Sequence, residues 1–142
     1  MYLLELKLKD SSSLFIEPYE KNNFKEIQRL NKEEGWTNLV INSIQIEIAW
    51  ENSNIAFVVE NQYKELVGYI RGHTDTTVSL FICEMLIDKK YRGLGIGKVL
   101  LQYVHNLYPE TRIEMLATST SRSFYENQGY RLFYGFRKTF GE

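Results

Sequence analysis

The sequence predicts an α+β fold, a three-layer arrangement in which a mixed, mostly antiparallel central sheet carries helices on both faces. Three observations predict it. Three strand-length apolar runs follow one another between residues 55 and 88; two stretches of helical apolar spacing precede them; and a glycine-rich turn opening an amphipathic helix comes after.

LFIEPYE (14–20) suits a short strand. FKEIQRLNKEEGW (24–36) places Phe24, Ile27 and Leu30 on one helical face and stops at Gly35. Residues 38–51 repeat helical spacing through Leu39, Ile41, Ile44 and Ile48, against the weaker helix propensity of β-branched side chains. The strands IAFVVE (55–60), ELVGYIRGH (65–73) and TVSLFICEMLID (77–88) are separated by NQYK and TDT, connections short enough for an antiparallel meander. From Gly95 to Tyr108 the spacing of Ile96, Val99, Leu100, Tyr103, Val104 and Leu107 is that of an amphipathic helix, ended by Pro109. RIEML (112–116) reads as a buried strand, and Ser119 or Ser121 as the cap of a short helix running to Asn127 and stopped by Gly129. YRLFYGFRKTF (130–140) reads as a closing hairpin around Gly135. MYLLELKL (1–8) alternates weakly, an edge strand or an extension without an assigned place.

The 142 residues, with no linker, repeat or low-complexity tract, are expected to form a single domain over 1–142. A formal net charge of −1 from well-mixed signs argues against nucleic acid as a partner and against a polybasic membrane anchor. No apolar run approaches the length of a membrane span, and the N-terminus lacks the features of a secretory leader, so the expectation is a soluble, cytoplasmic protein. One cysteine, Cys83, and two distant histidines, His73 and His105, give no basis for a metal site.

The most informative stretch is EMLIDKKYRGLGIGKVLL (84–101), where three of the nine glycines, Gly93, Gly95 and Gly97, stand at alternate positions. A strand ending near Asp88, a basic turn (Lys89, Lys90, Arg92) and glycines opening a helix expose unpaired backbone N–H groups at the positive end of a helix dipole. This is a site for a phosphorylated anion. The dipole itself contributes only about 0.3–1 kcal/mol, so several N–H bonds and Arg92 or Lys98 must add to it. A Walker loop would need glycine at 92 and serine or threonine at 99, where Arg92 and Val99 stand; a dinucleotide fingerprint would need glycine at 98, where Lys98 stands.

What the stretch does match is Arg92-x-x-Gly95-x-Gly97 behind the strand FICEMLID, and SRSFYENQGY (121–130) follows in the right order with a tyrosine at 125. On these residues the chain resembles the GNAT superfamily of acetyl-CoA-dependent N-acetyltransferases over roughly residues 14–140. The resemblance implies acetyl-CoA as acetyl donor, no metal, and a homodimer. Its pyrophosphate loop would comprise Arg92, Gly93, Leu94, Gly95, Ile96, Gly97 and Lys98, and its pantetheine arm would lie against the backbone of Met85, Leu86 and Ile87. Thr118 and Ser121 fall where the family often has an asparagine and a small residue beside the pantetheine, and Trp36, Arg71 and Asp75 fall in its acceptor-facing regions.

The chemistry names two more residues. A lysine-type amine, with a pKa of about 10.4, must lose a proton before it attacks a thioester. Glu84 is the candidate base, since it adjoins the expected acetyl-binding backbone; a carboxylate on a strand also serves as a solvated or lysine-paired group. Tyr125 matches the family's usual proton donor to the leaving thiolate, and is equally a core tyrosine. The activity expected is acetyl transfer to a primary amine on a small molecule or a peptide. The alternatives are an acyl-CoA-binding sensor or partner module without turnover, and a nucleotide-binding module using the same loop.

Overall fold

The computed structural model describes residues 3–142; Met1 and Tyr2, the start of the possible edge strand, lie outside the described residues. Six strands lie in sequence order across one sheet: β1 (Leu4–Lys7), β2 (Ser13–Pro18), β3 (Ile55–Asn61), β4 (Leu66–Thr74), β5 (Ser79–Ile87) and β6 (Arg112–Met115). β1 to β5 form an antiparallel meander, and β6 pairs parallel to β5. That parallel step requires a crossover, supplied by helix α4 (Ile96–Leu107), which follows α1 (Phe24–Glu34), α2 (Thr37–Ile41) and α3 (Ser43–Glu51) and precedes α5 (Arg122–Asn127).

Tight turns join β3 to β4 and β4 to β5 through side chains that accept from nearby backbone N–H groups. Asp75 Oδ1 accepts from Thr77, Val78 and Ser79, and Asn61 Oδ1 accepts from Tyr63 and Glu65. The bonds to Ser79, Val78 and Thr77 also hold the Asp75 carboxyl below the usual range.

Each sheet face has its own core. On one, Leu14, Ile55, Val59, Ile70 and Leu80 pack against Ile96, Leu100 and Val104 of α4. On the other, Val58, Leu66, Tyr69 and Leu86 meet Phe24, Ile27 and Leu30 of α1 and Trp50 of α3. The helical spacing read from α1 thus does its expected work, and Arg29 docks the helix further by donating to the Leu66 carbonyl at 3.1 Å. Gly35 ends α1 with φ at 81°, a conformation that favours glycine.

Three expectations change. The strand expected to be buried over 112–116 is an edge strand, with Arg112, Glu114 and Leu116 exposed and Ile113 and Met115 half-buried. The helix over 38–51 is broken at Asn42, whose side-chain amide donates to the Asn38 carbonyl and whose backbone leaves helical geometry at φ −91°, ψ 43°. The closing hairpin over 130–140 is absent: these residues form no strand, with Tyr134 88% and Phe136 96% exposed. A two-residue hairpin turn would need positive φ at its centre. Gly135 is not among the glycines with positive φ, and it instead sits against the Leu116 side chain, where a Cβ would collide.

The sheet carries one acidic contact with a consequence for stability. Glu17 stands opposite Val58, so Glu60, two residues along β3, is its diagonal neighbour on the same face. Burial, then the hydrogen bond to Glu17 and its charge, push Glu60 up to about 7, with Lys64 opposing. An acid raised above its unfolded value binds more protons folded than unfolded, so stability falls as pH rises from about 4.5 to 7. Glu60→Gln removes this penalty. In thermal unfolding its melting temperature should exceed the parent's at pH 8, with the difference closing as pH falls towards 4.5; a pH-independent difference would refute the assignment.

Candidate active site

The connection from β5 to α4 explains the alternate glycines by two different constraints. Gly93 and Gly95 have φ of 78° and 83°, in the left-handed region that side chains disfavour. Gly97 is helical, but a Cβ there would lie 3.2 Å from Phe124 Cζ and 3.4 Å from Met85 Cε. Glycine lets α5 and β5 close on the first turn of α4. Gly95 is the helix N-cap and offers no side-chain acceptor, and the first N–H to bond back is that of Val99, to the Gly95 carbonyl at 3.1 Å. The N–H groups of Ile96, Gly97 and Lys98 therefore have no intrahelical partner. Leu94, Gly95 and Lys98 are exposed, so the helix start is open to a ligand.

Beside it the sheet divides. The β5–β6 ladder runs from Ser79/Arg112 to Ile82/Met115 and stops. In the β4 register Arg71 faces Glu84 and Gly72 faces Ile82, which makes Cys83 the extra residue of a β-bulge. The bulge reverses the side-chain alternation. Before it Leu80 and Ile82 face α4; after it Met85 and Ile87 do. A Cβ on Gly72 would run into the Phe81 carbonyl, so glycine permits the close strand approach at this point. Met85, Leu86 and Ile87 lie beyond the end of the ladder, with no β6 residue alongside them.

Glu84 and Arg71, both named from the sequence, meet here. Arg71 Nε donates to Glu84 Oε1 at 3.0 Å and Nη2 to Oε2 at 2.6 Å, while Nη1 donates to Ser53 Oγ at 3.1 Å. This is a bidentate, largely buried pair between cross-strand neighbours. Tyr69, on the same face, donates its hydroxyl to Asn31, which donates to Gln28, which donates to the Leu39 carbonyl and Ser43. Burial raises the Tyr69 hydroxyl well above its ordinary value, so it acts as a fixed donor. Burial also raises the Cys83 thiol, which disfavours the thiolate a nucleophile would need.

Tyr125 is half-buried on α5, its ring edge-on to Phe124 at 5.1 Å and to Tyr130 at 5.8 Å, and burial raises its hydroxyl. Thr118 and Ser121 bond to one another before α5, the Thr118 N–H donating to Ser121 Oγ at 3.0 Å. Trp36 packs partly against the core between α1 and α3. Asp75 is occupied by its turn. Arg92 donates to Glu34 and to the Ile87 carbonyl. Ser53, Tyr69, Asn31 and Glu34 were not singled out from the sequence. Each lies many residues from its partner, and only strand register and helix docking bring the partners together.

Among the described residues no helix is long and apolar enough to cross a membrane, and no group of three or more metal-ligating side chains could hold an ion.

The family model described as an acetyltransferase (GNAT) domain matches residues 52–132. A relative from Gracilaria tenuistipitata var. liui, named an uncharacterized N-acetyltransferase, is 27% identical over 114 residues, covering 76% of this chain and 62% of its own. One of the same name from Porphyra purpurea is 25% identical over 133 residues, covering 89% and 73%. The chain thus spans less than two thirds of the Gracilaria relative's length. In fold it resembles a GNAT family acetyltransferase of Streptococcus pneumoniae, with a TM-score of 0.76, 21% identity, and coverage of 91% of this chain and 99% of that one. With more than half of its residues matched by the family model, the chain belongs to the GNAT acetyltransferase family.

Proposed function

We propose that the protein transfers the acetyl group of acetyl-CoA to a primary amine of a small molecule or peptide. The observation that carries this reading is the adjacency of two backbone features: the uncapped first turn of α4 and the end of the β5–β6 ladder at the Cys83 bulge. The first offers N–H donors to a pyrophosphate, and the second offers unpaired strand backbone to an amide-bearing arm.

Acetyl-CoA, when bound, supplies an acyl group activated as a thioester. In this reading the N–H groups of Ile96, Gly97 and Lys98 and the Lys98 ammonium hold the anion, and the backbone at Met85 orients the arm. Phe124 lies against Gly97 and so packs beside the first turn of α4. Tyr125, kept protonated by burial, is the proton donor to the leaving thiolate. Glu84 keeps acceptor capacity beyond the two bonds from Arg71, and through a water it takes the proton of the incoming amine. A homodimer, which rests on the resemblance, and a cytoplasmic location, which rests on the lack of a membrane-length apolar run, belong to the same proposal.

One observation favours a second reading, an acyl-CoA-binding module without turnover: both Glu84 oxygens are already engaged by Arg71. Thermal unfolding with acetyl-CoA, CoA, NAD and ATP tests the shared part. Ligand at 100 times its dissociation constant should add about 2.7 kcal/mol, a shift of several degrees. A shift with CoA compounds alone supports both readings, whereas none with either overturns both. Free-thiol release across an amine panel then separates them. In a turning-over enzyme Tyr125→Phe should lower the rate by roughly a hundredfold with CoA affinity retained, and Glu84→Gln should lower it most at acidic pH. Parental rates and pH profiles in both variants would remove these two residues from the mechanism.

A further inference from the structure

The strand-to-helix connection is held by hydrogen bonds of its own side chains and by groups on α1, β3 and β5. Asp88 caps its own turn by accepting from the Lys90 N–H at 3.0 Å. Lys89 Nζ reaches the Glu33 carbonyl at 3.5 Å, and Asn61 Nδ2 donates to the Tyr91 hydroxyl at 3.2 Å. Arg92 makes the strongest of these links. Its Nη2 donates to Glu34 Oε1 at 2.6 Å and its Nε to the Ile87 carbonyl at 3.1 Å. One guanidinium thereby spans the last turn of α1, the last residue of β5 and the start of the glycine segment. After it, Gly93 and Gly95 contribute no side chain that could hold the loop in place.

We infer that Glu34 is a positioning residue for the phosphate-binding loop, acting through Arg92, and that Arg92 is a strut of that loop and not a ligand of the phosphate. The inference rests on the reading of the loop as a pyrophosphate site. Its physical basis is the planar fork of arginine, which fixes two acceptors in a defined relative geometry where a lysine would fix one. Nε and Nη2 are committed to these two acceptors, so turning the guanidinium toward a phosphate would cost one or both bonds and leave the Ile87 carbonyl or the Glu34 carboxylate without that donor, since Nη1 moves only with the rest of the fork. Two consequences follow. The charge of Arg92 is already neutralised at the loop, so affinity for the anion comes from the α4 N–H groups and Lys98. The Ile87 carbonyl is likewise taken, which leaves Met85 as the β5 backbone free to meet the pantetheine arm.

Binding of CoA and of pantetheine, which lacks the pyrophosphate, is measured by titration calorimetry on the parent, Glu34→Ala, Arg92→Ala and the exchange Glu34→Arg/Arg92→Glu. Glu34→Ala should weaken CoA about tenfold, the scale of one lost charge-assisted hydrogen bond, and leave pantetheine unchanged. The exchange restores the ion pair and places a negative charge at position 92, but gives up the bond to the Ile87 carbonyl, so it should recover part of the loss. Tighter CoA binding by Glu34→Ala, which frees the Arg92 guanidinium, would make Arg92 a phosphate ligand and overturn the inference. Hydrogen exchange at the Gly93–Lys98 amides gives a readout without ligand. It should quicken in Glu34→Ala, and unchanged exchange would also overturn the strut. A parent that binds neither compound defeats the reading of the site itself, a separate result.

Discussion

One extra residue in β5 sets the geometry on which the site depends. Because Cys83 has no counterpart in β4, the strand changes phase there, and side chains that face α4 shift from Leu80 and Ile82 to Met85 and Ile87. The same step coincides with the end of the ladder to β6. A continuous β5–β6 ladder would pair the backbone at Met85 and close the sheet beside α4. The bulge keeps that backbone unpaired next to a helix start with donors of its own, so two sources of directed N–H and C=O groups converge.

The bulge also arranges the opposite face. It brings Glu84 across from Arg71, and the fork of the arginine then locks the carboxylate and reaches on to Ser53 at the end of α3. Tyr69 and Asn31 start a second hydrogen-bonded chain on this face, which runs into α1 and, through Gln28, to Leu39 of α2 and Ser43 of α3. Buried polar groups of this kind need partners, and here the partners come from helices as well as strands. The end of α3 is consequently tied to the bulge by hydrogen bonds through Arg71, so a change at Glu84 is felt at Ser53.

Much of this architecture was legible in the sequence. The apolar spacing of Phe24, Ile27 and Leu30 and of Ile96, Leu100 and Val104 marked the helices, and the turn chemistry around Asn61 and Asp75 marked the meander. The glycine segment pointed to the helix start, although the pattern could not say that Gly93 and Gly95 serve backbone conformation while Gly97 serves packing. The bulge was hidden because LFICEMLI is apolar on both faces of β5, so a phase change leaves no trace in its periodicity. The Arg71–Glu84 and Arg92–Glu34 pairs depend on register and on helix docking across long separations in sequence. At the C-terminus, the alternation of YRLFYGFRKTF suggested a hairpin, but alternation supplies no partner edge, and Gly135 packs on Leu116 in place of turning the chain.

The most direct test of this account is an amide-resolved nuclear magnetic resonance titration with CoA. The account predicts that the largest shifts fall on two short segments far apart in sequence, the amides of Ile96, Gly97 and Lys98 and those around Met85, and that they saturate together. Shifts confined to other parts of the sheet, or a response at α4 with none at β5, would contradict the claim that the bulge and the uncapped helix form one binding site.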